Sequence, residues 1–292
     1  MSGKTKSICL LTFDVEEWFQ VENLKGAISR SEWKHKKSTV SQNTHRILEL
    51  LDKYHIPATF FILGWVAKRQ PDLIREIFKQ GHEVACHGYG HERANLLKED
   101  HSLEDITRSK HILEDTISES VVGYRAPNFS ISDVILEHLK ELNFIYDSSY
   151  NPFQLNRRYG KIAGKLQQKS DGYYITQNGV YEVPLSSYQF KGIPIPIGGG
   201  AYFRIIPFRI FKKLVKSKLQ QGSVYNFYLH PWEFEPQQER IKGIKLNYRF
   251  RHYYGLNHTA AKLEKLIIHL KELGSQFLTI KNFVQKVEAE DN

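Results

Sequence analysis

The chain has 292 residues, 41% of them hydrophobic and 25% charged, so it can bury a substantial core and is not a disordered protein. Its 41 basic and 32 acidic residues give a net charge of +9, but no nucleic-acid-binding signature accompanies the charge, which argues against DNA or RNA as a partner. No apolar run has the length of a membrane span or the form of a signal sequence, so we expect a soluble cytoplasmic protein whose Cys9 and Cys86 are reduced core thiols.

The first predicted element is a buried strand over residues 8–13, which ends in three carboxylates, Asp14, Glu16 and Glu17. Barrels and open α/β sheets place their chemistry at the carboxyl ends of strands. Acidic residues also commonly just close a strand, so this position alone leaves both interpretations open.

Helix and strand patterns then alternate along the chain. Apolar residues at helical spacing predict helices at 44–54, 71–80, 103–117 and 132–142. Short apolar runs predict strands at 58–63, 82–86, 121–124 and 144–146. Pro57 prevents the first of these helices from continuing, and Pro71 and Gly81 mark the start and end of the second.

Residues 150–180 interrupt this alternation because they are rich in Asn, Arg, Lys, Gln and Gly, and we expect an insertion or a long loop, with or without a hairpin. The alternation resumes with strands at 180–185, 224–229 and 277–280, helices at 207–219 and 263–273, and a short C-terminal helix. The helix at 207–219 is basic and amphipathic, which is typical of a surface helix and also of a contact with an anionic membrane face.

Seven or eight strand and helix units in sequence predict a parallel sheet that can close into a barrel. The length is typical of one α/β barrel, so we expect a single domain over residues 1–292. We expect residues 1–6 to be flexible and residues 236–292 to extend the barrel.

Two histidines four residues apart, His87 and His91, directly follow the strand at 82–86. Two glycines within this segment place the pair on a loop rather than on a regular helix. With an oxygen ligand from Asp14 or Glu16, they would form the three-ligand site with an open position that holds a catalytic divalent metal. A chance His-x-x-x-His is common in a chain with 13 histidines, but the position after a strand favours the metal site.

Four motifs resemble, in their order, those of the NodB-type polysaccharide deacetylases, carbohydrate esterase family 4: Thr12-Phe13-Asp14 with a following carboxylate, His87-x-x-x-His91, Arg125-x-Pro127-x-Phe129 and Tyr228-Leu229-His230. Further segments are similar to the subgroup found with bacterial exopolysaccharide gene clusters: residues 14–19, 199–204, 230–233 and 251–253. Because the ordered motifs reach from residue 12 to the segment around residue 232, the resemblance is specific.

The resemblance implies an α/β fold, a distorted (β/α) barrel of about seven strands with loop insertions. It also implies a divalent metal, Zn²⁺ first, with Co²⁺, Ni²⁺ or Mn²⁺ as alternatives. Carried over residue by residue, it implies a metal site of Glu16, His87 and His91. It implies four catalytic roles, which are the general base Asp14, its orienting partner Arg125, the general acid His230 and the carboxylate partner of that histidine, Asp147.

Two positions depart from the family pattern. Val15 separates Asp14 from the next carboxylate, so Glu17 stays open beside Glu16 as the metal ligand. Gly88 stands where the family usually has Ser or Thr after the first metal histidine, which removes a hydroxyl that would help to fix the loop.

Candidate substrate-binding residues accompany these motifs: Trp18, Pro127, Phe129, Tyr202 and Trp232. Aromatic faces stack on sugar rings, but aromatic side chains are as often buried in a core. Pro127 and Phe129 also shape a turn, so packing and substrate contact both stay open for this set.

The resemblance thus implies a metal-dependent hydrolase that removes N-acetyl groups from N-acetylhexosamine units of a bacterial polysaccharide or its precursor and releases acetate. Its partner is an N-acetylated glycan. The alternatives are an O-acetyl esterase or small-amide hydrolase on the same fold, and a non-catalytic glycan-binding module. In the absence of an export signal, we expect the enzyme to meet its substrate in the cytoplasm, in peripheral contact with the inner face of the membrane.

Overall fold

The computed structural model of the protein describes residues 7–153, 159–170, 172–222 and 224–291. Residues 1–6, which we expect to be flexible, lie outside the described residues. The strands are β1 (Ile8–Val15), β2 (Thr59–Ile62), β3 (Glu83–Cys86), β4 (Gly123–Tyr124), β5 (Tyr146–Asp147), β6 (Gln167–Ser170), β7 (Tyr173–Ile175), β8 (Tyr181–Glu182), β9 (Ser187–Phe190), β10 (Ile193–Pro196), β11 (Tyr225–Leu229) and β12 (Gln276–Leu278). The helices are α1 (Val40–Tyr54), α2 (Gly64–Arg69), α3 (Pro71–Lys79), α4 (Glu99–Ile117), α5 (Asp133–Glu141), α6 (Gly200–Ile205), α7 (Phe208–Gln220), α8 (Leu246–Tyr253), α9 (Thr259–Glu272) and α10 (Ile280–Asp291).

A parallel sheet forms the centre of the molecule, with the strand order β11-β1-β2-β3-β4-β5-β8. β1 pairs with β11 along one side, and along the other side it pairs first with β12 and then with β2. The prediction of an α/β fold with about seven parallel strands curled into a distorted barrel is confirmed. Cys9 of β1 and Cys86 of β3 are free and buried, as predicted.

The two ends of this series of strands approach each other through side-chain hydrogen bonds. Asn226 of β11 donates from Nδ2 to the carbonyl oxygens of Val183 and Pro184, just beyond β8, at 3.1 Å each. Ser186 Oγ accepts from the Asn226 backbone N–H at 2.9 Å. A backbone hydrogen bond from the Ser186 N–H to the Asn226 carbonyl oxygen, at 3.2 Å, adds to these contacts. The sheet therefore curls into a barrel without a regular strand pair at its seam.

The helices cover the sheet with their apolar faces inward. In α7 the apolar positions Phe211, Val215 and Leu219 are buried in the core. These three apolar positions of the basic helix therefore serve packing, while Ile210 is 53% exposed. No helix among the described residues is both long and apolar enough to cross a membrane.

Some elements were not predicted by periodicity, namely α2, α6, α8 and the antiparallel hairpin of β9 and β10. None of them exceeds eight residues, so each shows too few repeated positions to stand out in the sequence. Within the irregular 150–180 segment, β6 and β7 form a hairpin that continues the sheet from β8.

Candidate active site

The motif residues converge at one edge of the sheet. Asp14 lies at the end of β1, His87 directly follows β3, Arg125 directly follows β4 and His230 directly follows β11. Parallel strands bring their carboxyl ends to the same edge, so residues far apart in the chain become neighbours. One pocket is lined by residues of all four motifs, among them Asp14, His87, His91, Phe129 and His230, together with Glu16 and Trp232.

Glu16, His87 and His91 form the candidate metal site. Their ligand atoms all lie within 4.8 Å of one another, and all three residues are buried. His91 Nε2 lies 2.5 Å from Glu16 Oε2, yet among the described residues neither Glu16 Oε2 nor His91 Nδ1 has a hydrogen-bond partner. Buried polar atoms without partners are costly, and a shared cation would satisfy the carboxylate oxygen.

The protonation states of His87 and Glu16 suit a cation. The Nδ1 of His87 lies 2.7 Å from the Arg125 carbonyl oxygen, so it carries the proton and leaves Nε2 as a free lone pair. Burial lowers the pKa of His87 to about 4, which keeps the ring neutral. Burial alone would raise the pKa of Glu16, but the charges of His91 and His230 outweigh it and hold that pKa at about 2. Two imidazoles and one carboxylate are a donor set that fits a divalent metal.

Glu17 does not belong to this site. Its carboxylate accepts hydrogen bonds from Ser38 Oγ and, at 3.1 Å, from the Thr39 N–H. Of the two adjacent glutamates, Glu16 lies beside the two histidines and Glu17 does not, so Glu16 is the candidate carboxylate ligand.

The loop that carries His87 and His91 is held by α4. Asp105 accepts hydrogen bonds from the backbone N–H of Tyr89 at 2.7 Å and of Gly90 at 3.2 Å. Gly88 has φ +71°, and a Cβ on it would lie 2.7 Å from Asp105 Oδ2. The carboxylate of Asp105 thus fixes the loop in place of the hydroxyl that Gly88 lacks. Because Gly88 has no side chain, it leaves room for this carboxylate.

Arg125 is fully buried and fixes Asp14. Its Nη1 donates to Asp14 Oδ1 at 2.7 Å and to Thr12 Oγ1 at 2.8 Å, while its Nε donates to the Ser148 carbonyl oxygen at 2.9 Å. The other carboxylate oxygen of Asp14, Oδ2, lies 3.9 Å from His230 Nε2. One oxygen of Asp14 is therefore occupied by a cation, and the other faces the candidate acid.

The carboxylate partner of His230 is Glu233, and the prediction of Asp147 for this role is wrong. His230 Nδ1 lies 2.8 Å from Glu233 Oε1. Asp147 instead accepts from Ser149 Oγ at 2.6 Å and lies beside Glu182, where burial raises the pKa of both carboxyls. The physical reason is the direction of the Asp147 side chain, which faces Ser149 and Glu182 and does not line the pocket that holds His230.

The electrostatics around His230 favour its cation. Burial alone would lower the pKa of His230, but Glu16, Glu233 and Asp14 together raise it to about 9. Its Nε2 lies 3.6 Å from Glu16 Oε1. The proton on Nε2 therefore points into the same pocket as the candidate base.

The candidate substrate-binding residues divide into two groups. Phe129 and Trp232 line the pocket, and Trp232 Nε1 also donates to Glu16 Oε1 at 3.0 Å. Trp18 is only 2% exposed, donates from Nε1 to the Lys37 carbonyl oxygen and does not line this pocket, so it packs in the core instead of offering a platform. Pro127 is buried and Tyr202 is half-buried, and neither lines the pocket.

Sequence reasoning missed Arg204, a buried residue of α6 that supports His230 through Glu233. Its Nε donates to Glu233 Oε2 at 2.6 Å. Burial by itself raises the pKa of Glu233, but the charges of Arg204 and His230 lower it, so the carboxylate stays ionised. The signal for Glu233 was present in the chain, since it stands three residues after His230, whereas nothing near Arg204 in the sequence indicates its partner.

Comparison with known proteins places both halves of the chain. Residues 3–146 match the family described as Polysaccharide deacetylase, and residues 148–284 match the Domain of unknown function DUF3473. β1 to β4 lie in the first match and β8 and β11 in the second, so the two matched segments share one sheet.

Two relatives and one solved structure illustrate the likeness. The chain is 33% identical to a peptidoglycan deacetylase of Helicobacter pylori over 131 residues, and 31% identical to a peptidoglycan-N-acetylglucosamine deacetylase of Bacillus cereus over 101 residues. The aligned segments cover 42% and 35% of this chain, and only 45% and 47% of those relatives. The crystal structure of an inferred polysaccharide deacetylase from Mycobacterium smegmatis matches 100% of this chain and 93% of its own with a TM-score of 0.63 and 21% identity, which shows a common fold.

The DUF3473 segment supplies His230, Glu233 and Arg204, while the first segment supplies Asp14 and the candidate metal ligands. The pocket is complete only when both segments are present. The chain therefore combines a polysaccharide deacetylase domain with a DUF3473 segment, and the DUF3473 segment builds the second wall of the pocket.

Proposed function

We propose that this protein is a divalent-metal-dependent hydrolase that removes N-acetyl groups from N-acetylhexosamine units of a bacterial polysaccharide or its precursor. Water is consumed, acetate is released and the sugar keeps a free amine. The observation that carries the proposal is the meeting, in one pocket, of a metal-ligand triad, a carboxylate fixed by arginine and a histidine fixed by carboxylate. The named activities of the two relatives support the same reaction class.

Glu16, His87 and His91 are the residues that would hold the metal, for which Zn²⁺ is our first choice. When bound, a divalent cation acts as a Lewis acid that polarises the acyl carbonyl and lowers the pKa of water. The protein's own contribution is to keep these three ligands buried and close together.

Asp14 is our candidate for the general base. Arg125 holds Oδ1, which leaves Oδ2 to take a proton from the attacking water. A positioned base of this kind contributes roughly 10²- to 10⁴-fold to rate.

His230 is our candidate for the general acid. An amide nitrogen leaves only when it is protonated, and a cationic imidazole can deliver that proton from Nε2 while Glu233 holds Nδ1. The raised pKa of His230, about 9, is consistent with a histidine that carries its proton at neutral pH.

Acetate release tests the proposal and its alternatives. The substrates are N-acetylglucosamine oligomers and the matching O-acetylated sugars, each with native protein, with chelator-treated protein and with Zn²⁺ added back. We expect acetate from the N-acetyl substrate, its loss on chelation and its return with metal. Acetate release that chelation leaves untouched would falsify the metal mechanism, and no release from either substrate would favour the binding module.

His230→Gln separates the amidase from the esterase. An alkoxide leaves with less help from an acid than an amine does, so we expect acetate release from the N-acetyl substrate to fall roughly 10²- to 10⁴-fold and release from the ester to fall much less. His111→Gln, at an exposed position of α4, is the matched control and should behave as the native protein. Equal losses on both substrates would argue against His230 as the acid for amine departure.

A further inference from the structure

Arg251 is a cation in the pocket that the proposed chemistry does not use. It is half-buried near the end of α8, and it lines the same pocket as Asp14, His87 and His230. Among the described residues it forms no ion pair with a carboxylate. Two buried arginines beside the site, Arg125 and Arg204, are paired with carboxylates, whereas the guanidinium of Arg251 has no carboxylate partner among the described residues.

The position of Arg251 is built into the fold. Arg204 donates from Nη2 to the Arg251 carbonyl oxygen at 2.7 Å and from Nη1 to the His252 carbonyl oxygen at 3.3 Å. These carbonyls end α8, so a buried guanidinium takes the place of water at the helix terminus. The same Arg204 pairs with Glu233, which means that one buried side chain fixes both the candidate acid and the backbone of Arg251.

The side chain of Arg251 is also supported on its flank. Its guanidinium carbon lies 5.6 Å from the ring centroid of Tyr202, a distance at which a cation and an aromatic face attract each other. Glu22 lines the pocket as well and has a buried Oε2 without a partner among the described residues. Glu22 and Arg251 do not form an ion pair with each other. The carboxylate of Glu22 can therefore accept a hydrogen bond from a sugar hydroxyl, while the guanidinium of Arg251 donates to an anionic group of the substrate.

We propose that Arg251 forms an anion subsite, so that the preferred glycan carries a carboxylate or a phosphate close to the N-acetylated unit. A guanidinium binds either oxyanion through two parallel N–H donors, which a neutral sugar cannot match. The inference rests on the proposed deacetylase function and adds a class of substrate to it. It also assigns a recognition role to a residue of the DUF3473 segment.

The test compares three substrates with metal-loaded protein. They are a neutral N-acetylglucosamine tetramer, an oligomer in which N-acetylglucosamine alternates with glucuronate, and an N-acetylglucosamine oligomer with a phosphate monoester. We expect kcat/KM to be roughly 10- to 100-fold higher on at least one of the charged substrates, as for a hydrogen bond between charged groups. A preference for the carboxylate or for the phosphate identifies the source of the charge, whereas equal kcat/KM on all three overturns the proposal.

Substitutions of Arg251 test whether this residue causes the preference for charged substrates. Arg251→Gln should reduce the ratio of charged to neutral kcat/KM towards one, and Arg251→Lys, which keeps the charge without the planar fork, should give an intermediate ratio. Arg249→Gln is the matched control, since Arg249 is exposed on the same helix and does not line the pocket. A preference that survives in Arg251→Gln overturns the proposal.

Binding measurements distinguish a failure of the anion subsite from a failure of the proposed deacetylase reaction. The affinity of metal-free protein for the glucuronate and phosphate oligomers is measured by calorimetry, with no reaction required. Native and Arg249→Gln proteins should bind one of them at least about tenfold more tightly than Arg251→Gln does. If no substrate is deacetylated but this difference appears, the subsite stands and the proposed reaction fails; equal affinities overturn the subsite whatever the activity.

Discussion

Glu16 and Glu17 are neighbours in the chain with different surroundings. The carboxylate of Glu16 meets His91 and Trp232, whereas that of Glu17 ties down the start of α1 through Ser38 and Thr39. Consecutive residues at the end of a strand point in opposite directions, so only one of two adjacent carboxylates can face the pocket.

Replacing each of these glutamates by glutamine should therefore have different effects on metal binding. A metal at 100 times its Kd stabilises a protein by about 2.7 kcal/mol through its binding to the folded state. We expect this gain for Glu17→Gln, and only about 0.4 kcal/mol for Glu16→Gln at the same Zn²⁺ concentration, if the lost ligand weakens binding about 100-fold. Denaturant titrations with and without Zn²⁺ measure both gains, and a full gain in Glu16→Gln would remove Glu16 from the site.

The loop between β3 and α4 shows how an element positions the site. The carboxylate of Asp105, in α4, accepts hydrogen bonds from two backbone N–H groups of this loop, which lie between the two histidines. The loop can approach the helix this closely only because Gly88 has no side chain and a left-handed backbone.

Gly88→Ala should weaken metal binding, and Gly81→Ala is its matched control. Both glycines have positive φ, +71° and +83°, so alanine costs each of them about 1–2 kcal/mol in backbone strain. Only at Gly88 would the new methyl group meet Asp105, since a Cβ at Gly81 has nothing within 4 Å. We expect Zn²⁺ affinity to fall about tenfold or more in Gly88→Ala and to stay at the native value in Gly81→Ala. Equal affinities in the two variants would show that Asp105 does not position the ligands.

At the scale of the whole molecule, a buried histidine makes stability depend on pH. His252 lies under Trp232 with ring centroids 4.6 Å apart, and its Nε2 lies 2.7 Å from Gln238 Oε1. Burial, with help from the charge of Arg204, lowers the pKa of His252 to about 3. Between this value and 6.5 the unfolded chain binds a proton that the folded protein does not, so the free energy of unfolding falls as pH falls through that window.

The size of this effect follows from the linkage relation. From pH 7 to pH 5, His252 should cost the native protein about 2 kcal/mol of unfolding free energy. His252→Gln lacks the titrating group, so its stability should fall by about that much less over the same interval. Guanidinium titrations at pH 7, 6 and 5 measure the difference, with His101→Gln, at an exposed position of α4, as a control that should follow the native protein. Parallel curves for native protein and His252→Gln would contradict the prediction.

Much of the sheet could be predicted from the sequence because its strands are buried on both faces and read as apolar runs. β1, β2, β3 and β11 all lie within or next to the predicted segments. α8 could not be predicted in this way, since Leu246 and Phe250 are 81% and 50% exposed and leave no inward apolar stripe. α8 nevertheless carries Arg251 to the pocket, and its end is held by Arg204.

The sequence by itself determined the order of motifs, the parallel α/β architecture and the positions of Asp14, His87, His91, Arg125 and His230 at the ends of strands, because periodicity and strand ends are local properties. Only the tertiary structure decided which charged groups meet. The choice of Glu16 over Glu17 and of Glu233 over Asp147 depends on side-chain direction, and the place of Arg204 beneath both α8 and Glu233 depends on how distant segments pack. Electrostatic contacts act over a few ångströms in space, and neighbours in space across a curled sheet are not neighbours in the chain.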